Sequence, residues 1–137
     1  MLDTKEKAKL LSGAPLFAGF SRKDLRDVAQ IAREANFDPA EMLCRQGDPG
    51  GEFYVLTDGR VDVERDGESI NTLRAGDFFG EIALITRAPR NATVTALGPV
   101  RALIIGADDF DDLLTRSREV FVKVFVVLAH RLPPEPI

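Results

Sequence analysis

Phe53-Tyr54-Val55-Leu56, followed by Thr57-Asp58-Gly59 and then Arg60-Val61-Asp62-Val63-Glu64, is the stretch on which the reading of the fold turns. The second run alternates polar and apolar residues, as a half-buried strand does. Asp-Gly between two such runs is the strongest short-range hairpin signal, so a hairpin closed at Asp58-Gly59 is predicted. The same punctuation recurs outward from it, at Gly47-Asp48-Pro49-Gly50, Asp66-Gly67, Gly76-Asp77 and Gly98-Pro99. Ser69 to Leu73, Ala92 to Leu97 and Val100 to Ile105 read as further strands between these turns. Short strands with a turn every ~8–12 residues predict a sandwich, jelly roll or barrel, here over residues 40–105.

Helical patterns flank this region. Residues 4–12 read as a short polar helix broken by Pro15-Leu16-Phe17. Ser21, with Asp24 three residues on, resembles a capping box, and Leu25, Val28, Ala29 and Ala32 then share one helical face. That helix is expected to run to about Asn36, before the Asp38-Pro39 turn signal. At the other end, Asp108 to Leu114 and Ser117 to Leu132 are predicted helices, the second stopped by Pro133-Pro134. Phe121, Phe125, Leu128 and Leu132 step through it as a heptad seam, with Val120, Val124 and Val127 as a stripe beside them and Lys123 between. One stripe can pack on the sheets. The other then faces water and marks an interface to a second copy or a partner domain, unless both stripes lie in one wide groove of a single subunit.

Composition removes several function classes. Eighteen Lys and Arg against 22 Asp and Glu leave a formal charge of −4, opposite in sign to a dedicated nucleic-acid binder. One cysteine, Cys44, allows no internal disulfide, so a reducing, cytoplasmic setting is expected. No apolar run approaches the ~18 residues of a membrane span. The first residues carry charges of both signs and no apolar core, unlike a signal peptide. A single histidine, His130, with a single cysteine cannot build a His-rich metal site or a metal-dependent jelly-roll enzyme, so no metal or other cofactor is expected.

The chemistry concentrates in residues 78–94, Phe-Phe-Gly-Glu-Ile-Ala-Leu-Ile-Thr-Arg-Ala-Pro-Arg-Asn-Ala-Thr-Val. Gly80 lets backbone approach a ligand closely. Glu81 to Ile85 is long enough for one helical turn, whose first N–H groups are free to meet an anion, and Ala83 is too small to obstruct it. Pro89 fixes the chain before Arg90, whose planar fork suits a phosphate. Glu81, acceptor-only when ionised, suits sugar hydroxyls. Together the parts describe a pocket for a ribose phosphate. Taken singly they also read as a loop ion pair between Glu81 and Arg90 and a turn at Gly80; Arg87 reads as a solvated loop charge.

The whole string closely resembles the phosphate-binding cassette of cyclic nucleotide-binding domains. These occur in catabolite-activator-type regulators, in the regulatory subunit of cAMP-dependent protein kinase and in cyclic-nucleotide-gated channels. Gly47, Phe53 to Leu56, Gly59 and Gly76-Asp77-Phe78-Phe79-Gly80 fit the same family, and the resemblance covers about residues 14–132. It implies a mainly β fold, a jelly-roll-like antiparallel β-barrel flanked by N-terminal and C-terminal α-helices. One domain is expected over residues 1–137, with helices at about 4–36, barrel at about 40–105 and helices at about 108–132. It also implies site roles. Glu81 would accept the ribose 2′-hydroxyl and Arg90 would pair with the cyclic phosphate. The N–H of Ala83, with neighbours Ile82 and Gly80, would donate to phosphate oxygens. Phe79, Asn91 and Ala92 complete the ligand set, and Val63 and Leu73 join Phe79 as apolar walls for the base.

The function so implied is a non-enzymatic cyclic-nucleotide sensor, cAMP ahead of cGMP. The alternative is a ligand-free structural or protein-interaction domain of the same fold. Two features depart from relatives. No DNA-binding segment follows the C-terminal helix, and Pro133-Pro134 ends that helix early. The base lid is therefore expected at the chain's end or at an apolar contact rather than at a mid-helix polar residue.

Overall fold

The computed structural model describes residues 1–131. It opens with helix α1, Thr4–Ser12, whose capping box closes between Asp3 and Glu6, and a 3-10 turn at Pro15–Phe17. Helix α2 covers Arg22–Ile31, with the Ser21 side chain accepting the Asp24 N–H at 3.1 Å. Eight strands follow: β1 Ala32–Phe37, β2 Met42–Cys44, β3 Glu52–Asp58, β4 Arg60–Arg65, β5 Glu68–Arg74, β6 Phe78–Phe79, β7 Thr93–Ala96 and β8 Val100–Gly106. Helix α3, Glu81–Thr86, sits between β6 and β7, and α4, Ala107–Arg116, and α5, Arg118–Arg131, come after β8.

The strands form two antiparallel four-stranded sheets, ordered β1-β8-β3-β6 and β2-β7-β4-β5. First pairs with last, second with seventh, third with sixth and fourth with fifth. This is one long hairpin ribbon folded over on itself, the strand order of a double Greek-key jelly roll. Among the described residues each ladder stays within its own sheet, so the expected barrel takes the form of two facing sheets.

Two local expectations are corrected here. Residues 32–37 are strand, not the end of α2, because pairing with β8 from Ala32↔Ile105 to Phe37↔Val100 outweighs the helical spacing of Leu25, Val28, Ala29 and Ala32. Asp58-Gly59 does not close a hairpin. It carries the chain from one sheet to the other, since β3 pairs with β6 and β8 while β4 pairs with β5 and β7. The tight hairpin is at Asp66-Gly67, both left-handed at φ 54° and 84°. Local turn chemistry specifies a reversal, but which strands it joins is set by packing.

Strand β3 explains the unbroken apolar run that opened the reading. Phe53 and Val55 face the helices, joining Phe17, Phe110, Val120 and Val124 in one core. Tyr54 and Leu56 face the second sheet, joining Val61, Leu73, Phe79 and Val94 in another. A strand covered on both sides has no face to spare for polar residues. Phe53 stacks on Phe110 at 4.5 Å between ring centres, and Tyr54 on Phe79 at 4.4 Å.

Helix α5 buries Val120, Val124 and Leu128, and the Lys123 ammonium donates to the carbonyls of Pro15 and Ala18. The expected seam is thus split. Leu128 packs inward, whereas Phe121 and Phe125 stand on the outer face. A straight helix places every third or fourth residue inward from Val120, and its packing selects the valine stripe. Leu132 and Pro133-Pro134 lie outside the described residues.

Candidate functional site

The β6 strand aims the chain at the site. Tyr54↔Phe79 and Val55↔Phe78 pair it to β3, after which Gly80 turns the backbone at φ 100°, ψ −8° into α3. A Cβ at Gly80 would lie 2.6 Å from the Glu52 carbonyl and 2.9 Å from an Arg90 terminal nitrogen, so only glycine fits. No side chain caps α3, which leaves its first-turn N–H groups free. Leu84 anchors the helix in the core beneath.

Arg90 is 8% exposed, and its guanidinium is held from two directions. It donates to the Gly80 carbonyl at 3.2 Å and to the Glu52 carbonyl at 2.8 Å, 5.8 Å above the Tyr54 ring. Its own backbone is clamped by Asp48 and Gly47, through Arg90 N–H to Asp48 O and Gly47 N–H to Arg90 O, both at 2.8 Å. Among the described residues Arg90 has no carboxylate partner. The loop ion pair between Glu81 and Arg90 is therefore not formed.

Glu81 is fully buried. One carboxylate oxygen accepts from Arg131 at the end of α5, at 2.7 Å. The other, Oε2, is buried with no hydrogen-bond partner among the described residues. The Arg131 guanidinium also lies 5.1 Å from the Phe78 ring centre. Arg87, by contrast, has an 83% exposed side chain and reaches only Asp111 at 3.9 Å, as expected of a solvated charge.

These groups surround a cavity of about 330 Å³. Phe79, Gly80, Glu81, Ile82, Arg90, Asn91 and Ala92 line it together with Val63 and Leu73. Ala83 does not line it. This residue is 5% exposed in α3, with its Cβ against Gly50. The cavity also includes residues the sequence reading missed: Cys44 and Val94 on its floor, Arg65, Ile70 and Asn71 from the β4–β5 hairpin, and His130 and Arg131 from α5. Asn71 carried no local signal, because a regular ladder from the Asp66-Gly67 turn would set Ile70 opposite Val63, and a register shift between Val63 and Glu64 brings Asn71 there instead. Arg131 carried one, lying one turn beyond Leu128 on the buried stripe. Burial pushes the Cys44 thiol upward. Burial, with Glu52 adding, pushes the Tyr54 phenol up to about 12; its hydroxyl donates to the Leu43 carbonyl at 3.2 Å.

A buried guanidinium with only neutral partners leaves its charge uncompensated, and a buried carboxylate oxygen without a donor is costly in the same way. A small anion that carries hydroxyls has the chemistry to meet both needs at once. Residues 34–117 match the family Cyclic nucleotide-binding domain, and the chain belongs to that family. It is 30% identical over 123 residues to a cAMP-dependent protein kinase regulatory subunit of Hypocrea atroviridis, covering 85% of this chain and 27% of that one. It is 34% identical over 112 residues to a cyclic nucleotide-gated potassium channel of Rhizobium etli, covering 82% of this chain and 31% of the channel. The chain thus spans about a third or less of these relatives. Among solved structures, the regulatory domain of Toxoplasma gondii PKA with cAMP superposes with a TM-score of 0.78 at 25% identity, covering 88% of this chain and 48% of that one. No helix of the described residues is long and apolar enough to cross a membrane.

Proposed function

We propose that the chain is a single, non-enzymatic sensor domain that binds a 3′,5′-cyclic purine nucleotide, cAMP ahead of cGMP, in the cavity between α3, the β4–β5 hairpin and the end of α5. The observation that carries this is the pair of unmet needs on one cavity: Arg90 buried without an acid, and Glu81 Oε2 buried without a donor. The cyclic phosphate answers the first and the ribose 2′-hydroxyl the second. The N–H groups of Gly80 and Ile82 serve the remaining phosphate oxygens, and Phe79, Val63 and Leu73 give the base an apolar shelf. A ligand-free interaction domain has no use for either buried group, which weighs against that reading. The cAMP in the Toxoplasma gondii structure supports the choice of base.

Arg131 gives the ligand a handle on α5. Glu81 offers one oxygen to the sugar and the other to Arg131, so occupancy and helix position are linked through one carboxylate. The outer face of α5 carries Phe121, Val122, Phe125 and Val126, at 47, 47, 54 and 51% exposure. Two apolar pairs one turn apart are self-complementary: an antiparallel second copy sets Phe121 on Val126 and Val122 on Phe125. We assign this face to self-association. The lone, half-buried Cys44 fits a cytoplasmic setting.

Calorimetric titration with cAMP, cGMP and 5′-AMP tests the ligand. Cyclic nucleotides bind more tightly than 5′-AMP, whose dianionic phosphate presents different oxygens to Arg90; equal or tighter 5′-AMP binding refutes the reading. Sedimentation at tens of micromolar tests the face, with a dimer expected for the native chain and a monomer for Phe125→Glu. A native monomer refutes that assignment.

A further inference from the structure

The loop between β2 and β3, residues 45–51, frames Arg90 from behind. Gly47 and Asp48 clamp the Arg90 backbone through their two 2.8 Å bonds. Gly50 backs the side chain, since a Cβ there would lie 3.2 Å from Arg90 Nε and 3.3 Å from its Cζ. The loop itself has little to rest on. Gly47, Asp48 and Pro49 are exposed, and a Cβ at Gly47 or Gly51 would meet nothing within 4 Å.

One side chain fastens it to the second sheet. Gln46 Nε2 donates to Asp66 Oδ1 at 2.8 Å, and Gln46 Oε1 accepts the Asp66 N–H at 2.9 Å. Asp66 opens the β4–β5 turn, 20 positions away. Among the described residues no other side chain of the loop makes a hydrogen bond or ion pair, apart from Glu52 at the start of β3 just beyond it. The pairing is reciprocal and calls for an amide. A carboxylate at position 46 has no proton for the Asp66 carboxylate, and an apolar side chain serves neither group.

The turn has no need of this pair. Asp-Gly with both φ positive is a favoured two-residue hairpin turn by itself, and the neighbouring Arg65 is tied separately to the Asn91 carbonyl at 3.1 Å. The beneficiary is the loop, and through the loop Arg90. We infer that Gln46 is a positioning residue: it touches no ligand, but by pinning residues 45–51 to the Asp66 turn it holds the clamp that sets Arg90 in place for an anion. This rests on the cyclic-nucleotide reading of the cavity.

The test joins two measurements on the full chain: amide hydrogen exchange of the empty protein, read residue by residue by NMR, and calorimetry with cAMP. The variants are Gln46→Met, Gln46→Glu and the double exchange Gln46→Glu with Asp66→Asn. In the last, an amide at position 66 supplies the proton that a carboxylate at position 46 lacks, and the net charge stays native. Both single variants are expected to speed exchange of the Arg90 N–H by about tenfold or more, while the Leu103 and Ile105 amides of β8 keep their native rates. Both are expected to weaken cAMP by about tenfold or more, the cost of a misplaced binding group. The double variant is expected to return both readouts to within about threefold of native, as a restored pair should. Native protection of the Arg90 N–H in Gln46→Met, cAMP affinity within about threefold of native in that variant, or a double variant no better than Gln46→Glu overturns the inference and leaves the cyclic-nucleotide reading intact. Failure of the native chain to bind cAMP brings down both, whatever the exchange rates.

Discussion

Replacing Arg90 with alanine removes a guanidinium that, at 8% exposure, has only two carbonyls and an aromatic ring around it. Without ligand the change loses two hydrogen bonds and also relieves an uncompensated buried charge, so the two effects offset and the empty fold survives. With ligand the balance is one-sided. Truncating one partner of a buried, charge-assisted pair costs about 2–5 kcal/mol, which is roughly 30- to 5,000-fold in affinity. Thermal melting reads this directly. At 100 times its native dissociation constant, cAMP is expected to stabilise the native chain by about 2.7 kcal/mol. At the same concentration the variant retains less than about 1 kcal/mol, because the ligand no longer saturates it. For a domain of this size that is a native shift of roughly 8–13 °C falling below about 5 °C. Arg87→Ala, on a solvated side chain, keeps the full shift. A full ligand-induced shift in Arg90→Ala, or its loss in Arg87→Ala instead, refutes the assignment of Arg90 to the anion.

Gly80→Ala is expected to destabilise the empty fold by about 1–3 kcal/mol, since it combines a positive φ with a Cβ pressed on Glu52 O and Arg90. Melting of the empty protein checks this, and calorimetry should show weakened binding as Arg90 is displaced. Tyr54 is the only tyrosine and its folded pKa stands at about 12, above the ordinary value near 10. The neutral form is the one the fold favours, so its stabilising effect is complete below about pH 10 and is lost as pH rises toward 12. Urea titrations across that window should show stability falling in the native chain and a flatter profile in Tyr54→Phe. Leu128→Ala, emptying a buried position of α5, is expected to cost about 2–5 kcal/mol by denaturant unfolding.

The strands that alternate or carry their own turn residues were legible, and so was the cassette, because its parts lie within one short stretch. What escaped notice depended on distant pairing. Ala32 to Phe37 becomes a strand only because β8 lies beside it. Asp58-Gly59 reads as a reversal from either side of it, and nothing local says that its two flanks enter different sheets. The site divides likewise. Glu81 and Arg90 were readable from their neighbours, whereas Arg131 reaches Glu81 from 50 positions away and Arg65 reaches Asn91 from 26. Residue types at those distances have no common period to betray them. On α5, spacing showed two apolar stripes without saying which packs inward, and tertiary packing buried Val120 and Val124.

The pairing of first strand with last has a consequence for the life of the chain before the cavity exists. Ala32 finds its partner only when Ile105 has been made. At about 5–20 residues per second, roughly 4–15 s separate their synthesis. Throughout that interval β1 has an unpaired edge, and β3 lacks the neighbour that later lies between it and β1. Arg90 and the Glu52 carbonyl that holds it are both present by then, but the sheet that fixes Glu52 is still missing its Gly106 partner. A nascent chain halted before β8 therefore carries the entire cassette sequence while the β1-β8-β3-β6 sheet that positions Glu52 beneath Arg90 is still open.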